Sequence, residues 1–504
     1  MKRLYFFLFV CMIAASSLWS FAQSEQFIQD VSPVIQILGR THDELGSSFL
    51  DSQSGDFNGD GRQELILYAA REDKRGELLI FNGEKDIPGT FDLEMDDPDL
   101  FIEGNAPNRE FGYGWITGDF NNDGIDDLAA WELVLTLEEF GSAYVFLGGH
   151  DFFERGRISA RDADHIFQGT SHDYQTRTSL VLGDFNGDGK SDLVIGNDSA
   201  KGRFQNMGSA GAAYLFWGRD EWAPIIEIKK ENVDAVIYGK DDDMPVTLLA
   251  RSAAAGDMNG DGIDDIAVFA WWGGIEQAGE GYVLYGKSEW PAVIELDEIE
   301  ADLTIQSPFP HGGLGHSIAF GDVNQDGFDD LLCSAWVADS LGRENNGAAF
   351  IVFGGRDLPA SIMLTRDAGA VVIHGRSDLH HFGYLARVGD FNADGIDDAL
   401  FTGVWPDAVE EGENDHSHAA LFYGREEWPA VIDLDKGGYD FLLRGGEENR
   451  FIGVSAYFMR WNDDAADDLI LGDMSAIAPG RDKAGIVYIL NGIAPAACLL
   501  HDYE

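Results

Sequence analysis

The chain has 504 residues, of which 45% are hydrophobic and 12% aromatic, and its formal net charge is -55. That much apolar material sustains a packed core and excludes a disordered acidic chain. So much negative charge excludes nucleic acid and an anionic membrane surface as partners. Cys11, Cys333 and Cys498 are too few and too scattered for a disulfide framework, and Cys333 falls in a buried strand pattern.

In chain order, residues 1–22 read as a signal peptide. Lys2 and Arg3 give a charged start, Leu4 to Leu18 an apolar run, and Ser20-Phe-Ala22 a small-x-small cleavage site. Cleavage would remove two basic residues and leave a mature charge near -57, with a secreted, extracellular or periplasmic chain as the expectation. No later stretch is apolar enough to span a membrane. A polar lead, 23–32, precedes Pro33-Val-Ile-Gln-Ile-Leu-Gly39, a strand with no repeat of its own.

The dominant feature then begins. Asp184-Phe-Asn-Gly-Asp-Gly-Lys-Ser-Asp192 places oxygen side chains at positions 1, 3, 5 and 9 and glycine at position 6. The pattern opens at Asp56, Asp119, Asp184, Asp257, Asp322 and Asp390, with an altered seventh copy from Arg460; the spacings are 63, 65, 73, 65, 68 and 70 residues. A nearly fixed period denotes a repeat architecture. An EF-hand needs a bidentate Glu at position 12, but Leu67, Ala130, Ile195, Val268, Cys333 and Phe401 stand there. These residues belong to short apolar runs that read as strands, so each loop joins two strands.

The residue types form an all-oxygen cage suited to Ca²⁺, a hard cation of flexible coordination. The expected ligands are Asp56, Asn58, Asp60, Glu64 and the carbonyl of Arg62; Asp119, Asn121, Asp123, Asp127 and the carbonyl of Ile125; and Asp184, Asn186, Asp188, Asp192 and the carbonyl of Lys190. The next three sets are Asp257, Asn259, Asp261, Asp265 and the carbonyl of Ile263; Asp322, Asn324, Asp326, Asp330 and the carbonyl of Phe328; and Asp390, Asn392, Asp394, Asp398 and the carbonyl of Ile396. A plain solvated Asp/Asn/Gly turn explains one copy, but not six at one spacing. Arg460 argues against metal in the seventh loop, where its guanidinium is expected to pair with Asp464 or Asp468.

Around each loop the course repeats. A first strand starts near Phe-Gly (Phe111-Gly112, Phe382-Gly383, and as Phe451-Ile-Gly453), and the loop and an apolar second strand follow. A variable loop leads to a third strand such as Gly141 to Gly148 or Gly347 to Gly354, and a fourth such as His165 to Gly169 completes the unit. Four short strands repeated seven times predict an all-β, seven-bladed β-propeller of four-stranded antiparallel blades over residues 33–492. The seventh repeat has its third strand at Ala484 to Asn491 but no fourth; the strand at 33–39 is expected to fill that place as the outer strand of blade seven and close the ring, leaving 493–504 as a tail.

The Phe-Gly start, the Asp-x-Asn-x-Asp-Gly-x-x-Asp loop and the Gly-Ala-x-Tyr-Val-Phe type of third strand resemble FG-GAP repeats, which form the seven-bladed propeller of integrin α-chains and of many secreted bacterial proteins. The resemblance covers essentially all of 33–492 and implies Ca²⁺ in the first-to-second-strand loops, up to six ions in blades one to six. Integrin-like propellers usually fill only some blades, so six complete loops are a departure. No counterpart of the integrin thigh, calf or membrane segments is read here, so receptor function is not implied.

Connections between second and third strands gather on the face opposite the calcium loops. The long ones, 131–140, 197–207, 271–280, 336–346 and 404–417, carry Trp131, Trp271, Trp272, Trp336 and Trp405. Such aromatics stack on sugars or anchor proteins, or else merely cover the blade tops, and the sequence favours the cover. Trp222, Trp290 and Trp428 recur in one turn type and read as packing. His311, His316, His374, His380, His381, His416 and His418 crowd blades five and six; His416-Ser-His418 offers a transition-metal pair, though a solvated pair is preferred. No catalytic signature is found. The expectation is a secreted, monomeric calcium-binding module, not an enzyme, that holds a protein or glycan on the face opposite the loops. The alternative is an extracellular polysaccharide lyase or hydrolase on the same scaffold.

Overall fold

The computed structural model describes residues 24–28, 34–47, 53–84, 87, 89–134, 139–201, 209–240, 246–365, 369–404, 417–445, 451–462 and 464–492. The expected signal segment, Trp405, His416, Cys498 and the tail 493–504 lie outside them. Among the described residues there are seven β-sheets and no α-helix, only 3-10 turns. No helix there is long and apolar enough to cross a membrane.

The sheets are the blades of a seven-bladed propeller. Blade three is representative: Leu180–Gly183, Asp192–Asn197, Ser209–Phe216 and Ala235–Tyr238 pair in antiparallel order from the axis outward. Second strands such as Asp192–Asn197 and Asp330–Ala335 are buried at every residue, because neighbouring blades cover both faces. That is why they read as continuous apolar runs. First strands surround the axis and line a central cavity of about 350 Å³, reached by Thr117, Leu182, Ala254, Phe320, Arg387 and Tyr457 from six different blades.

Blades are not limited to the expected four strands. Six of the seven gain a parallel edge strand from the third-to-fourth connection of the next blade. Thus Ile225–Ile228 lies beside His165–Gly169, Val293–Glu295 beside Ala235–Tyr238, and Val431–Asp433 beside Ala370–His374. Each such segment covers an outer edge whose N–H and C=O groups would otherwise be open to pairing with other chains. Three- or four-residue segments carry too little periodicity to be read as strands from sequence.

The ring closes as the sequence predicts. Val34–Leu38 pairs antiparallel with Ile486–Leu490 as the fourth strand of blade seven. The polar lead does more than the sequence reading gave it. Ser24–Phe27 pairs in parallel with Phe441–Arg444 of blade six, and Glu25 bridges Arg376 (3.3 Å) and Arg444 (2.5 Å). Residues 24–27 and 34–38 therefore replace both the edge segment and the fourth strand that blade seven would otherwise take from the chain after its third strand.

Candidate metal centres and the opposite rim

Each loop is held by its own backbone. In loop three, the Asp184 carboxylate accepts from the N–H groups of Asp188 (3.0 Å) and Gly189 (2.8 Å), and Asp188 accepts from Lys190 N–H (3.0 Å). Asp192 accepts from Phe185 N–H (3.0 Å), from Gly218 N–H in the third-to-fourth turn (2.6 Å) and from the Asn186 amide. Loops one, two, four, five and six repeat the scheme. The position-six glycine donates to the first Asp in each, from Gly61, Gly124, Gly262, Gly327 and Gly395. That glycine has φ between +83° and +90° in all six complete loops, a region costly for any residue with a Cβ.

The sequence-predicted carboxylates are thus brought to one side of each loop. Asp56, Asp60 and Glu64 each offer an oxygen within 4.8 Å of the others, and among the described residues this is the one such group of three. In the other five loops the position-nine residue is Asp, one carbon shorter, and it sits on the two backbone N–H groups. Position nine is buried in every case. Burial, with repulsion from the carboxylates at positions 5 and 1, pushes Glu64, Asp330 and Asp398 up to about 8 and Asp192 and Asp265 to about 7. Burial and Asp123 bring Asp127 to about 7. A buried carboxylate opposed by two others is a donor set that fits a hard divalent cation.

Loop seven departs from its expected pairing. Arg460 bonds neither Asp464 nor Asp468 but Asp467 at position 8, through Nε at 3.2 Å. Asp468 is already taken by Trp461 N–H, the Asn462 amide and Gly492 N–H.

Position 8 carries a role the sequence reading missed. Its side chain accepts from the position-one N–H of the preceding blade: Asp126 from Asp56, Asp264 from Asp184, Asp329 from Asp257, Asp397 from Asp322 and Asp467 from Asp390, at 2.8–3.0 Å. Gln63 accepts from Arg460 N–H at 2.8 Å and completes the link from blade seven to blade one. Blade three has Ser191 there. The signal was present in the repeated Ile-Asp-Asp of 125–127, 263–265 and 396–398. The recurring tryptophans also join blades, as expected of packing. Trp290 donates to Phe185 O (2.9 Å), Trp428 donates to Val323 O (3.1 Å), and Trp222 stacks on Phe120 with centroids 5.0 Å apart.

The opposite rim holds residues that vary from blade to blade. Tyr113, His316 and Tyr384 stand third in their first strands, and Arg251 just precedes its own, so all four lie at the axial end remote from the loops. Arg251 acts electrostatically on Tyr113, His316 and Tyr384 and lies over the Trp271 ring at 5.4 Å. Trp271 stacks on Trp272 (centroids 5.1 Å), and His316 packs between Trp271 (5.4 Å), Trp336 (5.0 Å) and Tyr384 (4.8 Å). Its Nδ1 is 2.7 Å from Tyr384 O, and burial holds its pKa down to about 4. Trp131, taken from sequence as a loop residue, is instead the buried end of a second strand. His380 and His418 stack with centroids 3.7 Å apart and are both buried, so they meet through ring faces and not through converging nitrogens. Cys333 is a buried free thiol.

Fold and loops together define a β-propeller built from one repeated blade with an acidic loop at one end. The FG-GAP repeat pattern matches residues 176–216, 249–284 and 314–352, in blades three, four and five; the chain carries FG-GAP repeats. Among characterised proteins it is similar to phosphatidylinositol-glycan-specific phospholipase D of Rattus norvegicus, 30% identical over 388 residues, covering 69% of this chain and 42% of that protein. It is also similar to integrin alpha pat-2 of Caenorhabditis elegans, 26% identical over 289 residues, covering 53% of this chain and 22% of that one. The chain spans less than half the length of these relatives. An exotype rhamnogalacturonan lyase structure overlaps at a TM-score of 0.37 with 10% identity, over 87% of this chain and 81% of that one, a likeness too weak to bear on function.

Proposed function

We propose that this propeller is an extracellular binding module, stabilised by Ca²⁺ in the loops of blades one to six, that holds a protein or glycan on the rim opposite those loops. The observation that carries the reading is the division of the ring. One end repeats one set of oxygen donors six times; the other gathers around Arg251 an aromatic cluster whose make-up changes from blade to blade. Asp184, Asn186, Asp188 and Asp192, with the Lys190 carbonyl, would hold the ion in loop three, and their counterparts would do so in the other five. The ion would offset the mutual repulsion of these carboxylates and so stiffen the ring. The charged-then-apolar stretch at 1–22 supports export, and calcium is abundant outside cells. Acids that repeat with the fold serve the fold, so they support a binding role over catalysis.

The test is a glycan and protein array probed in calcium and in chelator, beside a turnover assay on acidic and neutral polysaccharides. Calcium-dependent retention without turnover is expected. Turnover of any polysaccharide would replace the binding role with an enzymatic one.

A further inference from the structure

Leucine suits a water-facing, left-handed turn poorly, yet the rim places two leucines in such turns. Leu341 and Gly342, with φ of +55° and +77°, form the two-residue tip between Ser340 and Arg343, closed by Arg343 N–H on Ser340 O at 3.0 Å. Leu379 has φ of +62°. A Cβ makes that conformation costly, and two-residue turns of this hand favour Asn and Gly. The residue equivalent to Leu379 is Asn108 before Asp119 and His311 before Asp322, both polar and both at positive φ. Leu341 and Leu379 are 55% and 37% exposed, so the packing of the ring gains little from either. Ile275, in the same connection of blade four as Leu341 in blade five, is 77% exposed, and Glu276 beside it has φ of +54°. Strained backbone that holds apolar groups in water points to a contact outside the molecule.

These loops form one surface. Glu276 O accepts from His311 N–H (3.1 Å), and Glu344 O accepts from Leu379 N–H (2.6 Å). Between them Gly312 abuts Ala338, so that a Cβ on the glycine would lie 3.4 Å from that of Ala338. Four exposed acids stand around the aliphatic side chains: Glu276, Asp339, Glu344 and Asp378. Asp339 and Asp378 brace the loops by accepting from the N–H groups of Asn345 (2.7 Å) and Glu344 (2.8 Å), but none of the four forms an ion pair among the described residues. The nearby arginines are engaged with other acids, Arg343 with Asp433 (2.8 Å) and Arg376 with Glu25 (3.3 Å). The patch therefore sets aliphatic side chains within uncompensated negative charge.

We propose that this patch, on the rim over blades four and five, docks a basic protein segment that carries apolar side chains between its lysines or arginines. This rests on the reading of the propeller as a binding module and names its partner class. Cationic side chains answer the four acids, and apolar ones cover Ile275, Leu341 and Leu379. A second copy of this chain would set acid against acid, and a neutral glycan would leave the acids without partners.

The probe is a phage-displayed library of random linear peptides, selected on the full chain in calcium buffer and counter-selected on a Leu341→Asn, Leu379→Asn double variant. Asn keeps the left-handed turns, so the melting temperature of that variant should be unchanged or higher. Enriched peptides should combine Lys or Arg with Leu, Ile, Phe or Trp and bind one to one by calorimetry. Each Leu→Asn change should weaken the best peptide about tenfold or more. Glu344→Gln with Asp378→Asn should weaken it about threefold and lessen its salt dependence, and this pair serves if the leucine variant does not fold. Equal binding to parent and variant would overturn the proposal. So would enrichment of acidic or uncharged sequences, or oligolysine binding as tightly as the selected peptide, which is attraction to the general charge of -55 alone. Absence of any enriched peptide would overturn it too. Retention of a ligand on the protein and glycan array would then keep the binding-module reading standing, and no retention there would remove both.

Discussion

Loops three and seven occupy equivalent places in the ring but carry different charges. Both keep Asn at position 3 and Asp at positions 5 and 9, and in both the ninth carboxylate accepts from the position-two N–H and from a glycine N–H in the third-to-fourth turn or just after the third strand. They differ at positions 1 and 6, Asp184 and Gly189 against Arg460 and Ala465. The backbone bonds that Asp184 accepts from 188 and 189 have no counterpart at Arg460, whose guanidinium turns to Asp467. The buried ninth carboxylate is raised in both, by burial first, but to about 7 in loop three and about 6 in loop seven, where no acid stands at position 1. The comparison teaches that positions 3, 5 and 9 build the turn, while the first carboxylate adds the charge that calls for a cation.

The largest effect should come from pH. Six ninth-position carboxylates have folded pKa values of about 7 to 8, above their unfolded values near 4. Their contribution to stability is therefore present below about pH 4 and lost as pH rises through 7 to 8. His316, at about 4, and His380, lowered by burial and then by His418, act oppositely; their contribution is lost as pH falls below about 6.5. In chelator the melting temperature should fall from pH 5 to pH 8. Calcium replaces the proton on the loops, so in calcium the fall should vanish or reverse. Parallel pH profiles with and without calcium would break the comparison.

Asp188→Asn comes next. It keeps an acceptor for Lys190 N–H and removes the charge. A site held at a hundredfold its dissociation constant adds about 2.7 kcal/mol, so denaturant melts in calcium should lose roughly that amount and melts in chelator almost none. The converse is Arg460→Asp with Ala465→Gly, which should give loop seven an ion and about 1–2 kcal/mol in calcium only. The smallest effect is expected for Asp329→Ala. It strips the acceptor from Asp257 N–H between blades four and five and should cost about 1 kcal/mol equally in calcium and chelator.

The seven-fold period, the Asp loops and the closing strand at 34–38 were legible because repetition multiplies a weak local signal. What stayed hidden was of two kinds. The edge strands, 24–27 among them, are short and gain their partners only when blades meet. The position-eight links and the Arg460–Asp467 pair depend on which oxygens the fold has already used: Asp468 looked open in sequence and is filled by three donors in space. The charged group on the rim has no period. Arg177, Arg251 and Asp198 lie far apart in sequence, and only the ring closes the distance.

The central claim is tested most directly by calcium titration calorimetry on chelator-stripped protein, with a melting curve before and after. The account predicts about six ions and a large upward shift of the melt. Binding of few or no ions with an unchanged melt would make the six loops ordinary hydrogen-bonded turns and contradict it.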